Sequence, residues 1–280
     1  SYTETEKGIT VKANGRTFVF SKKDGQLKDV SVNNRKISFA NGPRFIGARR
    51  ADRSLDQFYN HDDEKAKAKD RTYSEFTDAA VFTKLDVKEE GGNLILTANY
   101  KLGNLDKAQW TIHPDGMATL DYTYNFSGVV DLMGICFDYP EEQVLSKRWL
   151  GAGPYRVWQN RIHGTQYDIW ENDYNDPIPG ETFTYPEFKG YFGSVSWMSI
   201  RTKEGTISLT NETPDSYIGV YQPRDGRDRL LYTLPESGIS VLNVIPPVRN
   251  KVNSTDLCGP SSQPKWVDGS QTGRLVIRFE

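Results

Sequence analysis

Several residue types are scarce in this 280-residue chain, and the scarcities exclude whole classes of function. There are two cysteines and three histidines, and neither cysteine stands at metal-ligand spacing from another cysteine or a histidine. No apolar run approaches the roughly 18 residues of a membrane span. The net charge of −2 lacks the basic excess expected of a nucleic-acid-binding domain. We predict no nucleic-acid partner, no membrane segment, and two buried thiols at Cys136 and Cys258 rather than a disulfide.

Helical periodicity is also missing, and an alternation with a period of two takes its place. Residues 8–42 and 79–128 alternate apolar and polar side chains, which is typical of half-buried strands. These runs break at residue types that tolerate the positive φ of tight hairpin turns, namely Asn14-Gly15, Asp24-Gly25, Asn33-Asn34 and Gly91-Gly92. Roughly fifteen short strands without a linker predict one all-β domain over residues 1–280, a large antiparallel β-sandwich.

Two segments depart from this alternation. Residues 47–76 are highly charged and predict a long surface loop with at most one helical turn. Residues 149–192 are rich in aromatic residues, glycine and proline, and predict little regular strand. Long ordered loops on a rigid sandwich commonly carry binding residues, so we expect any chemistry to lie in these two segments. The chain begins at Ser1 without a charged and apolar leader, which is typical of a mature chain or a portion of a longer protein.

The stretch WLGAGPYRVWQNRIHG, residues 149–164, concentrates aromatic and hydrogen-bonding side chains around a Gly-x-Gly-Pro turn. Sugar rings have apolar faces edged with hydroxyls, so their binding sites combine flat aromatic rings with amide or guanidinium groups. We expect Trp158 and Arg161, three residues apart after the turn, to be exposed together, whereas Trp149 and Trp170 fit the sheet core and the site equally well. The residues predicted to bind carbohydrate here are Tyr155, Trp158, Asn160, Arg161 and His163.

Catalytic and metal-binding interpretations stay open at this point. A glycosidase needs two carboxylates that face one bond, but no spacing among the acidic residues near this stretch singles out a pair. A sugar epimerase needs a histidine acid near a carboxylate base, and His163 is the histidine that stands beside sugar-stacking residues. The segment NDYND, residues 172–176, could hold Ca²⁺ or form a plain Asx-rich turn. We assign no catalytic residue and no metal ligand and expect no cofactor, with Ca²⁺ at this segment as the alternative to a plain turn.

The stretch from Trp149 resembles the pattern Y-G-x-G-P-x-E-N-Y-x-D-R in the C-terminal domain of family 2 β-galactosidases. A second stretch, YPEFKGYFGSVSWMSI, resembles the pattern P-Q-E-x-G-x-R-x-x-V-R-W-x-x-L of the same domain, and it adds Glu187 to the residues implied to bind carbohydrate. The first hairpin and the terminal segment are also similar to that domain, so the resemblance covers nearly the whole chain. In the first pattern Gly151, Gly153, Pro154 and Arg161 match, whereas Arg156, Val157, Trp158 and Asn160 replace Glu, Asn, Tyr and Asp.

The resemblance implies a galactose-mutarotase-like β-supersandwich, in agreement with the fold expected from periodicity. It also implies that the catalytic glutamates belong to a (β/α)₈ barrel, which needs about 250 residues with alternating helices and has no counterpart in this sequence. The chain is then a non-catalytic C-terminal portion of a larger, periplasmic or secreted glycosidase that contributes carbohydrate contacts or packs against the catalytic barrel. The alternatives are a free-standing carbohydrate-active enzyme, such as an aldose epimerase or polysaccharide lyase, and a purely structural scaffold.

Overall fold

A computed structural model describes residues 1–50, 73–174, 190–221, 234–247 and 259–280, and these residues contain twenty β-strands and no α-helix. In chain order the first ten strands are β1 (Tyr2–Glu4), β2 (Gly8–Ala13), β3 (Arg16–Ser21), β4 (Leu27–Val32), β5 (Arg35–Ile37), β6 (Ala40–Arg50), β7 (Tyr73–Glu75), β8 (Val81–Glu90), β9 (Asn93–Lys101) and β10 (Leu105–Ile112). The others are β11 (Ala118–Val130), β12 (Leu132–Asp138), β13 (Val144–Gly153), β14 (Gln166–Asp173), β15 (Phe192–Gly193), β16 (Trp197–Thr202), β17 (Thr206–Asn211), β18 (Tyr217–Gly219), β19 (Ile239–Val244) and β20 (Lys265–Phe279). Two short 3₁₀ helices, Glu141–Gln143 and Pro260–Ser262, accompany them.

The strands form two antiparallel sheets. The larger sheet has the order β1-β2-β3-β4-β6-β12-β19-β18-β15, with β5 paired to β4 and β7 paired to β6. The smaller sheet has the order β14-β13-β16-β17-β20-β11-β10-β9-β8. The predicted all-β fold and large antiparallel β-sandwich are therefore confirmed, with more strands among the described residues than the sequence pattern indicated.

Strand β20 joins the two halves of the smaller sheet. It pairs with β17 through Leu275–Phe279 and with β11 along the register from Lys265 to Ile277. Strands β14, β13, β16 and β17 lie on one side of it, and β11, β10, β9 and β8 lie on the other. The central strand of this sheet thus comes twentieth in chain order.

The hairpin turns follow the residue types read from the sequence. Asn14 and Gly15 have φ angles of 44° and 76°, and Gly91 and Gly92 have φ angles of 58° and 82°. This left-handed region is open to glycine and tolerated by asparagine, while other side chains meet a steric cost there. The predicted positions of these two turns are confirmed.

The main core lies between the two sheets and is built from inward-facing aromatic and aliphatic side chains. Phe20 of the larger sheet packs edge-on against Trp110 of the smaller sheet, with ring centroids 5.9 Å apart. Trp110 in turn contacts Phe137, whose ring centroid is 6.0 Å away. All three side chains are buried, and burying each contributes about 1.5–3 kcal/mol to stability before the opposing entropy.

A second, smaller core covers the opposite face of the larger sheet. Side chains alternate along a strand, so Met133 of β12 enters the main core while Leu132 enters the second one. Cys136 lies in the second core as a free thiol, and burial raises its pKa to about 12 against the opposing charge of Arg44. Burial of this cysteine agrees with the prediction, and Cys258 lies outside the described residues.

The structure corrects part of the loop prediction. Residues 149–192 contain more strand than expected, because β13 continues to Gly153 and β14 is a regular strand of 8 residues. In the charged segment, β6 extends to Arg50 and β7 begins at Tyr73, while residues 51–72 lie outside the described part of the chain. In the part of the chain that the structure describes, no helix is long and apolar enough to cross a membrane.

Candidate functional site

The Gly-Pro stretch forms a turn, residues 153–164 and here called the motif turn, that leaves β13 and leads into β14. It begins with a cis peptide bond between Gly153 and Pro154. Val157 and Tyr191 exchange two backbone hydrogen bonds, with N···O distances of 2.7 and 2.8 Å. These bonds, and the contacts of Val157 with the second core, place the motif turn against the outer face of the larger sheet.

Trp158 is fully buried, and the prediction that it is exposed beside Arg161 was wrong. Its ring packs edge-on against Tyr191 with centroids 5.7 Å apart and belongs to the second core. The backbone N–H of Trp158 donates to the backbone carbonyl of Arg161 and closes a tight turn. The Arg161 side chain is exposed, as expected. An indole gains most by burying its large apolar area, and the second core offers that burial. A ring with no exposed face cannot stack on a sugar, so Trp158 acts here as a packing residue.

Gln159 attaches the motif turn to the segment that precedes β20. Its Nε2 donates to the carbonyl oxygens of Ser261 and Gln263, at 2.7 and 2.6 Å, and its backbone N–H donates to the carbonyl of Pro246 at 3.0 Å. The side chain is buried, so the two amide hydrogen bonds are shielded from water. In the sequence this glutamine is one of the hydrogen-bonding side chains of residues 149–164, and nothing local distinguishes an amide that stabilises the fold from one that binds a ligand.

Replacing Gln159 with glutamate is expected to lower the free energy of unfolding by about 3 kcal/mol, because a buried carboxylate would face two carbonyl oxygens and donate to neither. Chemical denaturation followed by tryptophan fluorescence measures the loss. The matched control is Gln166→Glu, at an exposed glutamine at the start of β14, which should change stability by less than about 0.5 kcal/mol. Equal stability of the two variants would contradict the role of the amide.

The motif turn exposes a set of polar and aromatic side chains on top of this buried base. Tyr155, Arg161 and His163 are exposed, and Asn160 is half-buried with its Nδ2 3.4 Å from Ser262 Oγ. His163 makes no hydrogen bond or ion pair with the described residues. The structure thus brings four of the six predicted residues together on one turn, buries Trp158 beneath them, and leaves Glu187 outside the described residues.

Two buried cations, Arg156 in the motif turn and Lys147 on β13, were not predicted from the sequence. Arg156 is 4% exposed and Lys147 is 1% exposed. The guanidinium carbon of Arg156 lies 5.2 Å from the ring centroid of Tyr221, and Lys147 Nζ lies 4.7 Å from the same centroid. Lys147 Nζ also donates to the carbonyl oxygen of Asp173 at 2.5 Å. Desolvated cation–π contacts contribute up to about 2 kcal/mol each, so these contacts help to fix where the motif turn leaves β13.

The described residues do not assemble the ligands of a metal centre. Among them, no three histidine, cysteine, aspartate or glutamate side chains are grouped closely enough to hold a metal ion. His113 Nδ1 lies 3.1 Å from Asn93 Oδ1, and His113 Nε2 lies 2.9 Å from Thr119 Oγ1, so both ring nitrogens have hydrogen-bond partners within the fold. In the segment proposed for Ca²⁺, Asn172 is buried and Asp173 is exposed, while residues 175 and 176 lie outside the described part.

Solved structures are similar to this chain at low sequence identity. A galactose 1-epimerase from Lactobacillus acidophilus NCFM superimposes over 100% of this chain and 98% of its own, with 10% identity and a TM-score of 0.53. A galactose mutarotase-like protein from Lactobacillus casei ATCC 334 covers 98% of this chain and 100% of its own, with 11% identity and a TM-score of 0.46. An α-N-acetylgalactosaminidase from Bifidobacterium bifidum covers 97% of this chain with 35% of its own, with 11% identity and a TM-score of 0.45.

The galactose 1-epimerase shows that the sandwich has the galactose mutarotase-like fold, as the resemblance implied. No curated protein is significantly similar in sequence. The family described as beta galactosidase small chain matches residues 12–243, which include strands β3 to β18, the motif turn and the buried cations. The match covers most of the sequence, and it agrees with the motifs around Pro154 and Gly190. The chain belongs to the beta galactosidase small chain family.

Proposed function

We propose that this chain is a non-catalytic domain of a family 2-like glycoside hydrolase, and that its motif turn forms one wall of a sugar pocket whose reacting groups lie on a catalytic barrel. The observation that carries this proposal is the construction of the motif turn. Trp158 and Gln159 fix it from below, while Tyr155, Arg161 and His163 point outward from it. Binding residues work best on such a rigid base, because little conformational entropy is lost when a ligand binds.

The outward side chains suit contact with a sugar or with a polar partner surface. Tyr155 offers an aromatic face, and Arg161 offers up to five N–H donors to hydroxyls or a carboxylate. His163 has no described carboxylate as a hydrogen-bond partner, although a proton-transfer pair in an epimerase requires one within reach. Membership of the family supports a glycosidase context, and this geometry supports a contacting role rather than a reacting one.

The purified chain is expected to show no hydrolysis of nitrophenyl glycosides and no acceleration of galactose or glucose mutarotation. In the full-length enzyme, Arg161→Ala should raise KM about tenfold with little change in kcat, since a contact made equally in ground and transition states affects binding alone. The matched control is Arg35→Ala, at an exposed arginine on β5. Steady-state kinetics and polarimetry give these values.

Two results would overturn the proposal in different directions. Mutarotation by the isolated chain that is lost in His163→Ala would assign it to a free-standing aldose epimerase. Unchanged KM in the Arg161→Ala enzyme, together with weaker association between the domain and the rest of the protein, would assign the motif turn to a structural scaffold.

A further inference from the structure

The outer face of the smaller sheet carries a partly exposed aromatic and aliphatic patch at its β14 edge, next to the point where the motif turn joins β13 and β14. In the cross-strand register, Leu150 of β13 stands between Ile169 of β14 and Trp197 of β16. Tyr167 stands beside Ile169 on the same face, two residues along the strand. Trp149, which points the opposite way from Leu150, is fully buried in the main core, so this patch faces outward. We call these four side chains, Leu150, Tyr167, Ile169 and Trp197, the tyrosine platform.

Tyr167 gives the platform its shape. Its side chain is 59% exposed, yet its hydroxyl lies 2.6 Å from Ser196 Oγ. Ser196 lies on the far side of β13, where its backbone N–H donates to the carbonyl of Leu150 at 2.9 Å. Two strand spacings amount to about 10 Å, so the phenol must extend across β13, over the small side chain of Ala152 that is its cross-strand partner. The ring is therefore held along the sheet surface with much of its area open to solvent.

A ring fixed in this way suits the apolar face of a pyranose. Stacking on it costs little conformational entropy, because the Ser196 hydrogen bond already restricts the side chain. Hydrogen-bonding groups stand next to the platform: Arg148 and Glu171 form the next cross-strand pair on the same face, and both are exposed. Arg148 and Glu171 lie two residues along the strands from Leu150 and Ile169, a distance of about 7 Å. At that distance their side chains can reach the hydroxyls of a sugar ring bound on the platform.

The charged side chains on this face indicate which class of sugar can bind there. On the face of the platform, two exposed carboxylates, Glu171 and Asp173 of β14, are matched by two exposed arginines, Arg148 of β13 and Arg201 of β16. Carboxylates and guanidinium groups both bond to hydroxyl groups, and a face without a basic excess offers no net attraction to uronates or sulfated sugars. A neutral saccharide chain therefore suits this face better than a polyanionic one.

We propose that the tyrosine platform binds a neutral pyranose chain, with one ring stacked on Tyr167 and its hydroxyls bonded to Glu171 and Arg148. This site goes beyond the proposed function, because it lies on the outer face of the smaller sheet, whereas the motif turn packs against the larger sheet, and because it needs no catalytic barrel. It would hold a polysaccharide against the domain, and so keep substrate near whatever active site the complete protein contains.

Affinity electrophoresis of the purified chain in gels containing soluble galactan or galactomannan tests the proposal, with polygalacturonate as the polyanionic comparison. Retardation is expected with at least one neutral polysaccharide and not with polygalacturonate. Tyr167→Ala should weaken binding at least about tenfold, as loss of a stacked ring commonly does. Ser196→Ala keeps the ring but frees it, and should weaken binding by about twofold to fivefold. The matched control is Trp266→Ala, which removes a ring that is 70% exposed elsewhere on the same sheet and should leave binding unchanged.

The other outcomes separate this site from its rivals. Binding that is lost in Tyr155→Ala or Arg161→Ala but kept in Tyr167→Ala would overturn the platform and support the motif turn as the sugar contact. Absence of retardation by every neutral polysaccharide would also overturn it. Sedimentation that reveals a dimer dissociated by Tyr167→Ala would assign the platform to self-association instead. Hydrolysis by the isolated chain, with binding still dependent on Tyr167, would overturn the proposed function and leave the platform standing.

Discussion

Trp158→Ala is expected to lower the free energy of unfolding by about 3–5 kcal/mol, the usual cost of removing a fully buried tryptophan. The indole fills the space between Tyr191 and the back of the larger sheet, so its loss leaves a cavity lined by the second core. Equilibrium unfolding in guanidinium chloride measures the change. Trp266→Ala, at an exposed ring, is the control and should stay within about 0.5 kcal/mol of the parent.

This result would also distinguish packing from sugar contact at position 158. A packing residue gives a loss of stability that is the same with and without saccharide. A variant of near-normal stability that has lost only carbohydrate affinity would contradict the burial of Trp158 and restore the exposure inferred from the sequence.

Gly190→Ala is expected to lower the free energy of unfolding by about 2–3 kcal/mol, through overpacking of backbone against backbone. A Cβ at this position would overlap the carbonyl oxygen of Val157 and lie 3.1 Å from Cδ1 of Trp158. The strand pairing between Val157 and Tyr191 would have to open, and the motif turn would move away from the sheet. Thermal and denaturant unfolding measure the loss, and hydrogen exchange of the Val157 and Tyr191 amides locates it.

The control for this substitution is Gly259→Ala, where a Cβ meets no atom within 4 Å. It should leave stability within about 0.5 kcal/mol of the parent. If both alanine variants were equally stable, the close approach at Gly190 would not explain why glycine stands in the motif there.

The sequence predicted the sheets and turns because alternation and positive-φ turn residues are local signals. It did not predict the second core, since a two-layered sandwich is expected to have one apolar face on each sheet. A local signal was nevertheless present: LMGICF, residues 132–137, is continuously apolar, which is typical of a strand buried on both faces. That run explains why Trp158 is buried. A sheet with two apolar faces is stabilised when other side chains shield its second face from water, and Trp158 is one of those side chains.

Other features of the site depend on long-range contacts that no local pattern carries. Gln159 meets Ser261 and Gln263 from about a hundred residues away, with sequence separations of 102 and 104. Lys147 occupies an inward position of β13, where alternation alone predicts an apolar residue, and its Nζ contacts the Tyr221 ring and the Asp173 carbonyl. The predicted exposure of Tyr155, Arg161 and His163 agrees with the structure, and their proposed contact with sugar stays a prediction.

The place of β20 in the smaller sheet has a consequence for biosynthesis. Residues 265–279 are translated after all nineteen other described strands. The two halves of the smaller sheet therefore cannot be joined through β20 until these residues have been synthesised. Until then one half has an unpaired edge at β17 and the other has an unpaired edge at β11. Unpaired strand edges favour association with other nascent chains. A premature stop before residue 265 would leave both edges permanently open.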